Sequence, residues 1–499
     1  MSGIRGKISL IFLLLLVALT AAADDGIRQR GCRRGVVLST TRSLRAQETP
    51  RQVGGDFYHG NRRQLVVLAT FRDQAFQDDQ ATTTAKWDKI FNASDYHEDS
   101  FVGSVHDYFY AQSYGNFNLT FDLVYVNLPD SLKKYRSTAT HDEYSQYVVD
   151  DIVDILSTQN IDWSLYDWNG DGYVNQLLIV YAGKGSSYGN FGGDENSIWP
   201  HQWWLSKHLK NPDNQWEGYR DYRTVTSGDK QFIIDCYCCV QEILNLSSTK
   251  SSFGTICHEY SHCFGLPDFY YGSGTSTVGS WDLMDYGNYG GAGFCPCGYS
   301  AHERMLMGWL TPVKLTTATT ISAIPALSDE AQAYIIHNDA HPDECYMVEN
   351  RQQTGWDASL PGSGLVVFHV DYDASIWPST TTIPNSSSKK RYSIFPANNK
   401  STSYQSGWGY PYQSNDSLTN TSAPAAELNN ANTDGKMLMN KSLYDMKVEN
   451  GLASFRFTVG PTTGIEEVKS GEPYRILYDL GLIYIIRYSN GEIKKVMKH

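Results

Sequence analysis

The 499-residue sequence lacks an excess of positive charge and has few charged residues of either sign. It contains 41 Lys and Arg residues against 54 Asp and Glu residues, which gives a formal net charge of −13 at pH 7. Proteins that neutralise nucleic-acid phosphates normally carry a basic domain or stripe, so we expect no nucleic-acid partner. Charged residues make up 19% and hydrophobic residues 41% of the chain, a composition that excludes a mainly disordered protein.

Internal repeats and long apolar runs are also absent, apart from one short run at the N-terminus. There, Arg5 and Lys7 precede an apolar stretch at residues 8–19 and three alanines at residues 21–23. This order predicts a signal peptide over residues 1–23, and the apolar stretch is too short to span a bilayer comfortably. A signal anchor has a similar sequence and is the alternative. We therefore expect a secreted or cell-surface protein with no permanent membrane span.

The pattern of the chain changes several times, and two or three domains are expected at this length. Residues 24–62 are polar and rich in Arg, which indicates a leader or pro-segment. Strand-like and helix-like patterns alternate over residues 63–312 and predict an α+β catalytic domain. Short strand patterns dominate residues 313–460 and predict a β-rich accessory domain. Residues 461–499 follow a Pro/Thr linker and predict a small β tail.

The strongest chemical signal is a His-Glu-x-x-His sequence formed by His258, Glu259 and His262. Histidines four residues apart project from one face of a helix and can bind one zinc ion. Gly265 would allow the tight turn that brings Asp268 back to the metal as the third protein ligand. An ordinary surface helix with two histidines is the alternative, and it leaves Gly265 and Asp268 unexplained.

Two imidazoles and one carboxylate leave the fourth position of a tetrahedral zinc ion open for water, as a catalytic site requires. Zinc lowers the pKa of such a water and polarises a scissile carbonyl, and Glu259 is expected to carry the proton to the leaving amine. The third ligand has alternatives. Tyr270 or Tyr271 could approach the metal, and Glu303 is the candidate if the site is built like that of thermolysin.

The sequence from His258 to Asp268 resembles the zinc-binding motif of the metzincin proteases, and residues 280–285 resemble the methionine turn that follows it. The resemblance implies that Met284 lies beneath the zinc as a structural base; a Met that fills a gap in the core is the alternative. More narrowly, the chain is similar to the immune inhibitor A family of secreted bacterial metallopeptidases. The segments that carry this similarity lie within residues 64–371 and are residues 198–201, 265–270, 307–310, 349–352, 360–366 and 369–371. It implies a zincin-like catalytic domain with a mixed sheet and an active-site helix.

A second motif, at residues 167–175, resembles the start of a calcium-binding loop. The positions that would supply oxygen ligands are Asp167, Asn169, Asp171, Tyr173 and Asn175. Leu178 stands where a helix-loop-helix site has a bidentate Glu, so that form is not supported. A tight turn without metal is the alternative. Immune inhibitor A-like proteins carry a similar segment with calcium, so the resemblance implies a structural calcium ion here.

Eight of the nine cysteines lie between residues 236 and 345, and their pairing cannot be deduced from the sequence. Disulfides are possible in an exported chain, and buried free thiols are the alternative. The ninth, Cys32, lies upstream of the predicted catalytic domain. Its thiolate could occupy the open zinc position and keep a precursor latent, or it could be an unpaired thiol in the leader.

The tail resembles the C-terminal sorting domain of proteins exported by type IX secretion, through residues 463–468, 476–480, 482–486 and 491–496. Its usual Gly-Arg pair is missing, because Asp479 and Leu480 are followed by Gly481-Leu482-Ile483. A plain β-hairpin cap is the alternative. The resemblance implies the outer-membrane secretion machinery as a partner.

Together these features predict a secreted zinc-dependent endopeptidase that acts on extracellular proteins or peptides. A zinc amidase acting on cell-wall peptides uses the same chemistry and stays open. A non-catalytic cell-surface binding protein on a protease scaffold is the third possibility, suggested by 12 Trp and 34 Tyr residues. The sequence predicts neither the cleavage preference nor the oligomeric state.

Overall fold

The computed structural model describes eleven ranges of the chain. They are residues 58–136, 145–187, 196–206, 222–244, 251–271, 276–378, 383–400, 402–460, 474–479, 483–489 and 493–497. The predicted signal peptide, Cys32 and the predicted pro-segment as far as residue 57 lie outside these ranges.

The N-terminal half of the described chain contains eight strands. They are β1 (Gly60–Thr70), β2 (Phe117–Asn127), β3 (Tyr173–Val174), β4 (Leu177–Lys184), β5 (His201–Trp204), β6 (Arg223–Ser227), β7 (Lys230–Ile234) and β8 (Cys236–Ile243). Five form one sheet in the order β2-β1-β4-β8-β5, in which only β5 runs antiparallel to its neighbour. The continuous apolar residues 65–69 of β1 and 177–182 of β4 are typical of strands that are buried on both faces. The other three form a small sheet in the order β3-β7-β6.

The described chain contains five α-helices. They are α1 (Gln80–Asn92), α2 (Val105–Gln112), α3 (Gln146–Leu156), α4 (Phe253–Cys263) and α5 (Ala301–Leu306). Two begin with reciprocal capping boxes, Ser104 with Asp107 at α2 and Ser300 with Glu303 at α5. Each box pairs backbone N–H groups that the first turn of a helix cannot satisfy internally. The predicted zinc-binding histidines both lie on α4.

The central sheet is buried on both faces, because successive side chains of its strands enter different cores. Val66 and Leu68 of β1 pack with Ile256 and Tyr260 of α4. Leu65, Val67 and Ala69 of β1 enter the other core, which contains α3 residues such as Val148 and Ile152. The period-two alternation of a strand thus divides the apolar residues of β1 between two helical layers.

Strands dominate the described chain after residue 312. They are β9 (Val313–Lys314), β10 (Thr319–Ile324), β11 (Tyr334–His337), β12 (Glu344–Arg351), β13 (Gly364–Asp371), β14 (Tyr392–Ile394), β15 (Lys441–Glu449), β16 (Leu452–Val459), β17 (Tyr474–Asp479), β18 (Ile483–Tyr488) and β19 (Ile493–Met497). Three sheets result, with orders β14-β13-β12-β11-β9, β10-β16-β15 and β17-β18-β19. The architecture is mixed α+β, as the sequence predicted.

The predicted domain boundary at residue 312 is not a break in packing. One face of the β14-β13-β12-β11-β9 sheet contributes Met347, Phe368 and Tyr392 to the same core as Met284 and Tyr299. The other face, with residues such as Val348, packs in a separate core against β15 and β16. The β-rich segment therefore shares a hydrophobic core with the part of the chain that carries α4.

All eight cysteines between residues 236 and 345 are buried free thiols. They behave as small apolar side chains. Seven of them lie in the two hydrophobic cores that flank the central sheet. No helix in the described ranges is both long enough and apolar enough to cross a bilayer.

Candidate metal centre

The helix α4 carries both histidines and is buried at every position. Its close packing depends on Gly254, because a Cβ at that position would lie 1.8 Å from the carbonyl oxygen of Asn288. The helix ends as the sequence predicted. Gly265 has φ +90° and donates its backbone N–H to the carbonyl of His262 at 2.9 Å, a conformation that favours glycine.

The two histidines are oriented by backbone carbonyls. His258 Nδ1 lies 2.8 Å from the carbonyl oxygen of Leu283, and His262 Nδ1 lies 2.7 Å from that of Leu266. A carbonyl oxygen only accepts, so each Nδ1 carries the hydrogen and donates it. When the ring is neutral, its Nε2 atom then presents a lone pair, which is the form a metal requires.

Asp268 completes a three-residue group with the two histidines. Its Oδ1 lies 3.2 Å from Nε2 of His258 and 3.3 Å from Nε2 of His262. A tetrahedral zinc ion with bonds of about 2.0–2.1 Å separates its ligand atoms by roughly 3.3–3.4 Å. The three ligand atoms lie within 4.8 Å of one another, and in the described ranges no other group of three or more His, Cys, Asp or Glu residues does so. The donor set fits a zinc ion, with imidazole nitrogen and carboxylate oxygen as ligands.

The charges of these groups are coupled. Burial lowers the pKa of His258, but hydrogen bonding to Asp268 and the nearby acidic charges outweigh it and raise the pKa to about 9. Burial raises the pKa of Asp268, but the two imidazoles outweigh it and hold that pKa well below its usual range. A metal ion must therefore displace a proton when it binds between these residues.

Glu259, the predicted proton carrier, is fully buried beside His258 in the same turn of α4. Met284, which the sequence predicts beneath the metal as a structural support, is also fully buried and lies in the core that contains α4. The backbone around Met284 contacts two ligand positions. Leu283 accepts from His258, and the Met284 carbonyl accepts the N–H of Phe269, the residue after Asp268, at 3.0 Å.

The alternative third ligand Glu303 lies in a different environment. Its Oε2 accepts from the backbone N–H of Ser300 at 2.8 Å and from the Ser300 hydroxyl at 3.1 Å, which closes the capping box of α5. It is not part of the His258, His262 and Asp268 group. The structure thus places Glu303 in the first turn of α5, where its side chain caps the N-terminus of that helix.

The predicted calcium loop is a tight turn held by its own hydrogen bonds. The carboxylate of Asp167 accepts from the backbone N–H groups of Gly170, Asp171 and Gly172. The Asn175 side-chain oxygen accepts from the backbone N–H of Trp168 at 2.8 Å. These bonds shape the loop whether or not an ion is present, so calcium binding stays a prediction.

Sequence reasoning missed two side chains that support the site, Tyr392 and Asn385. Asn385 donates to the carbonyls of Phe269 and Tyr392 at 2.8 and 2.9 Å, and accepts from the N–H of Tyr392 at 2.9 Å. Both residues lie more than a hundred positions after Asp268, in a stretch without a recognisable motif. No local signal could have identified them.

A buried helix that bears two histidines and an adjacent glutamate, with a carboxylate returning from the next turn, has the donor set of a metallopeptidase site. Residues 60–308 match the family model described as the immune inhibitor A peptidase M6 catalytic domain. The chain is also similar to Immune inhibitor A of Bacillus thuringiensis subsp. alesti, with 28% identity over 152 residues, which are 28% of this chain and 20% of that protein. The chain thus matches about one fifth of this relative's length. These comparisons support an immune inhibitor A-like peptidase domain that starts at β1 and ends just after α5.

Proposed function

We propose that this protein is a secreted zinc-dependent endopeptidase that hydrolyses peptide bonds in extracellular proteins. The observation that carries the proposal is the convergence of His258, His262 and Asp268, with oxygen-to-nitrogen distances of 3.2 and 3.3 Å, beside Glu259. The match to a peptidase catalytic domain supports the same conclusion. The zinc-binding helix, the turn at Gly265 and Met284 further support a metzincin-like site.

The proposed mechanism assigns different roles to the metal ligands and to Glu259. His258, His262 and Asp268 would hold the zinc ion, and their second contacts to backbone carbonyls fix the two rings. When bound, zinc supplies an acidified water and polarises the scissile carbonyl. Glu259 would accept the proton of the attacking water and pass it to the leaving amine. The burial of Glu259 keeps bulk water from competing for that proton.

Four further predictions remain proposals. We propose that residues 1–23 direct export and that residues 167–175 bind a structural calcium ion. We also propose that the predicted pro-segment at residues 24–62, whose last three residues pair with β2 as the start of β1, contains Cys32 as a latency switch. The type IX sorting role of the tail is proposed on its resemblance alone. In the described part of the tail, β17, β18 and β19 form an antiparallel sheet.

The decisive test compares the wild-type protein with Glu259→Gln, which keeps the shape of the side chain and removes its charge. We expect both proteins to bind one equivalent of zinc. The rate of casein hydrolysis should be at least about 100-fold lower in the variant than in the wild type. A matched control is Glu242→Gln on β8, which replaces a carboxylate that accepts from the backbone N–H groups of Gln77 and Gly183. It should keep activity.

Other outcomes separate the alternatives. Zinc binding without casein hydrolysis, but with cleavage of peptidoglycan fragments, would favour a cell-wall amidase. Zinc binding without either activity, even after a trace protease removes the leader, would favour a binding protein. A wild-type protein that binds no zinc would contradict the proposal as a whole.

A further inference from the structure

A single turn holds two of the three candidate metal ligands in place. The carbonyl oxygen of Leu283 accepts from Nδ1 of His258 at 2.8 Å. The carbonyl oxygen of Met284, the next residue, accepts from the N–H of Phe269 at 3.0 Å. Phe269 directly follows Asp268, so any shift of residues 283–284 moves a histidine ligand and the carboxylate ligand together.

This turn is supported from within the protein by Asp282. One oxygen of its fully buried carboxylate, Oδ1, accepts from the N–H of Met284 at 2.8 Å. The other, Oδ2, accepts from the hydroxyl of Tyr392 at 3.1 Å. Burial raises the pKa of Asp282 to about 6, while the N–H of Met284 and the Tyr392 hydroxyl oppose that shift. A buried carboxylate of this kind depends on its few donors.

A second buried carboxyl lies beside Asp282. Burial and the Asp282 carboxylate raise the pKa of Glu303 well above its usual range. The guanidinium of Arg351 attracts the Asp282 carboxylate and donates to the carbonyl oxygen of Trp281 at 3.4 Å.

Tyr392 reaches the site from β14, in the β-rich segment, and supports it in two ways. Its hydroxyl contacts Asp282 and lies 2.7 Å from the Ser300 hydroxyl. Its ring stacks on Phe269, with ring centroids 3.8 Å apart and an angle of 20° between the planes. One side chain thus contacts the residue behind the turn and the residue after Asp268.

We propose that Asp282 and Tyr392 are positioning residues, through which the β-rich segment sets the geometry of the metal centre. Neither residue is a ligand. They act on His258 and Asp268 through the backbone of residues 283–284 and through Phe269. The inference rests on the proposed zinc site and adds to it that the segment after residue 312 supplies part of its supporting structure.

The test uses the full chain with Tyr392→Phe, which removes the hydroxyl and keeps the stacked ring. We expect zinc affinity, measured by competition with a chromogenic chelator, to fall about tenfold to hundredfold. We also expect the visible absorption bands of the Co²⁺-loaded protein to shift, because they report ligand geometry. A matched control is Tyr346→Phe, since Tyr346 is also buried in the β-rich segment and donates to the carbonyl of Glu427 at 2.7 Å. The control should change neither measurement.

Asp282→Asn provides a second variant and a double-mutant cycle. Alone it should weaken zinc binding to a similar extent, and combined with Tyr392→Phe it should add little, because both changes break one contact. If Tyr392→Phe binds zinc and Co²⁺ like the wild type, or if Tyr346→Phe loses as much affinity, the inference is wrong while the zinc site stands. If the wild type itself binds no zinc, the proposed function and this inference both fail.

Discussion

At the scale of single residues, Gly254 shows how the position of the metal-binding helix depends on one missing side chain. Gly254 lies one turn before His258, and a Cβ there would lie 1.8 Å from the Asn288 carbonyl oxygen. Alanine favours a helix over glycine by about 0.5–1 kcal/mol. The clash involves backbone on both sides and cannot be relieved by rotating a side chain, so it outweighs that gain.

We therefore predict that Gly254→Ala destabilises the protein by about 1–3 kcal/mol, the usual range for overpacking a core. The shift of α4 away from Asn288 should also weaken zinc binding. Denaturant unfolding of the metal-free protein measures the first effect, and chelator competition measures the second. Thr84→Ala, at a partly exposed position of α1, is the control, and it should be close to neutral. A Gly254→Ala protein that is as stable as the wild type would show that the helix and residue 288 can separate without cost.

At the scale of elements, the contact between Glu344 on β12 and His369 on β13 joins two strands to the loop at residues 429–430. His369 Nε2 lies 2.7 Å from Glu344 Oε1, and the backbone N–H groups of Asn429 and Asn430 also donate to this carboxylate. Burial raises the pKa of Glu344, but the hydrogen bonds of His369, Asn429 and Asn338 outweigh it and lower the pKa to about 2. The ionised carboxylate thus stabilises the folded state.

The sign of the pH dependence follows from this lowered pKa. An acid whose pKa falls on folding contributes stability above its unfolded pKa, which is about 4.5 for Glu344. That contribution is lost as pH falls from about 4.5 towards the folded value near 2. We predict that Glu344→Gln loses up to about 3 kcal/mol of unfolding free energy at pH 7. Its difference from the wild type should shrink steadily below pH 4.5.

Urea unfolding at several pH values measures this difference. Glu330→Gln, at an exposed position, is the control and should follow the wild type at every pH. A constant difference between Glu344→Gln and the wild type from pH 7 to pH 3 would contradict the argument, because it would mean that shape and not charge matters at position 344.

The elements also show which parts of the molecule the sequence could predict. β1 and β4 contain continuous apolar runs, and α3 has apolar residues at helical spacing. His258, His262 and Asp268 are close in sequence, on one helix and its following turn. Tyr392 reaches Asp282 only because of the position that β14 takes beside β13, where Phe368 pairs with Ile394. Such a register depends on long-range pairing, and one sequence contains no local signal for it.

At the scale of the whole molecule, the shared core across residue 312 determines which part of the chain can fold alone. Met347, Phe368 and Tyr392 pack with Met284 and the other apolar residues around α4. The ion pairs of Arg351 with Glu349 and Asp357, both fully buried, add polar links, since the carbonyls of Trp281 and Gly298 accept from Arg351. A chain that ends at residue 312 would expose this apolar face and lose these links.

We predict that the chain ending at residue 312 binds a hydrophobic dye and unfolds without a cooperative transition, because a soluble monomer does not tolerate an exposed apolar face of this kind. This chain should also lose most of its zinc affinity, because residues 281–284 lose their contacts with the β-rich segment. The matched control ends at residue 460, after β16, and removes only the tail, whose buried residues Ile486 and Tyr488 form a small cluster of their own. It should keep the zinc affinity and the thermal midpoint of the full chain.

Dye fluorescence, calorimetry and chelator competition on the two truncated chains test this prediction. If the shorter chain unfolds cooperatively and binds zinc as tightly as the longer one, the β-rich segment is dispensable for the metal centre, and its contacts with residues 281–284 only dock it there.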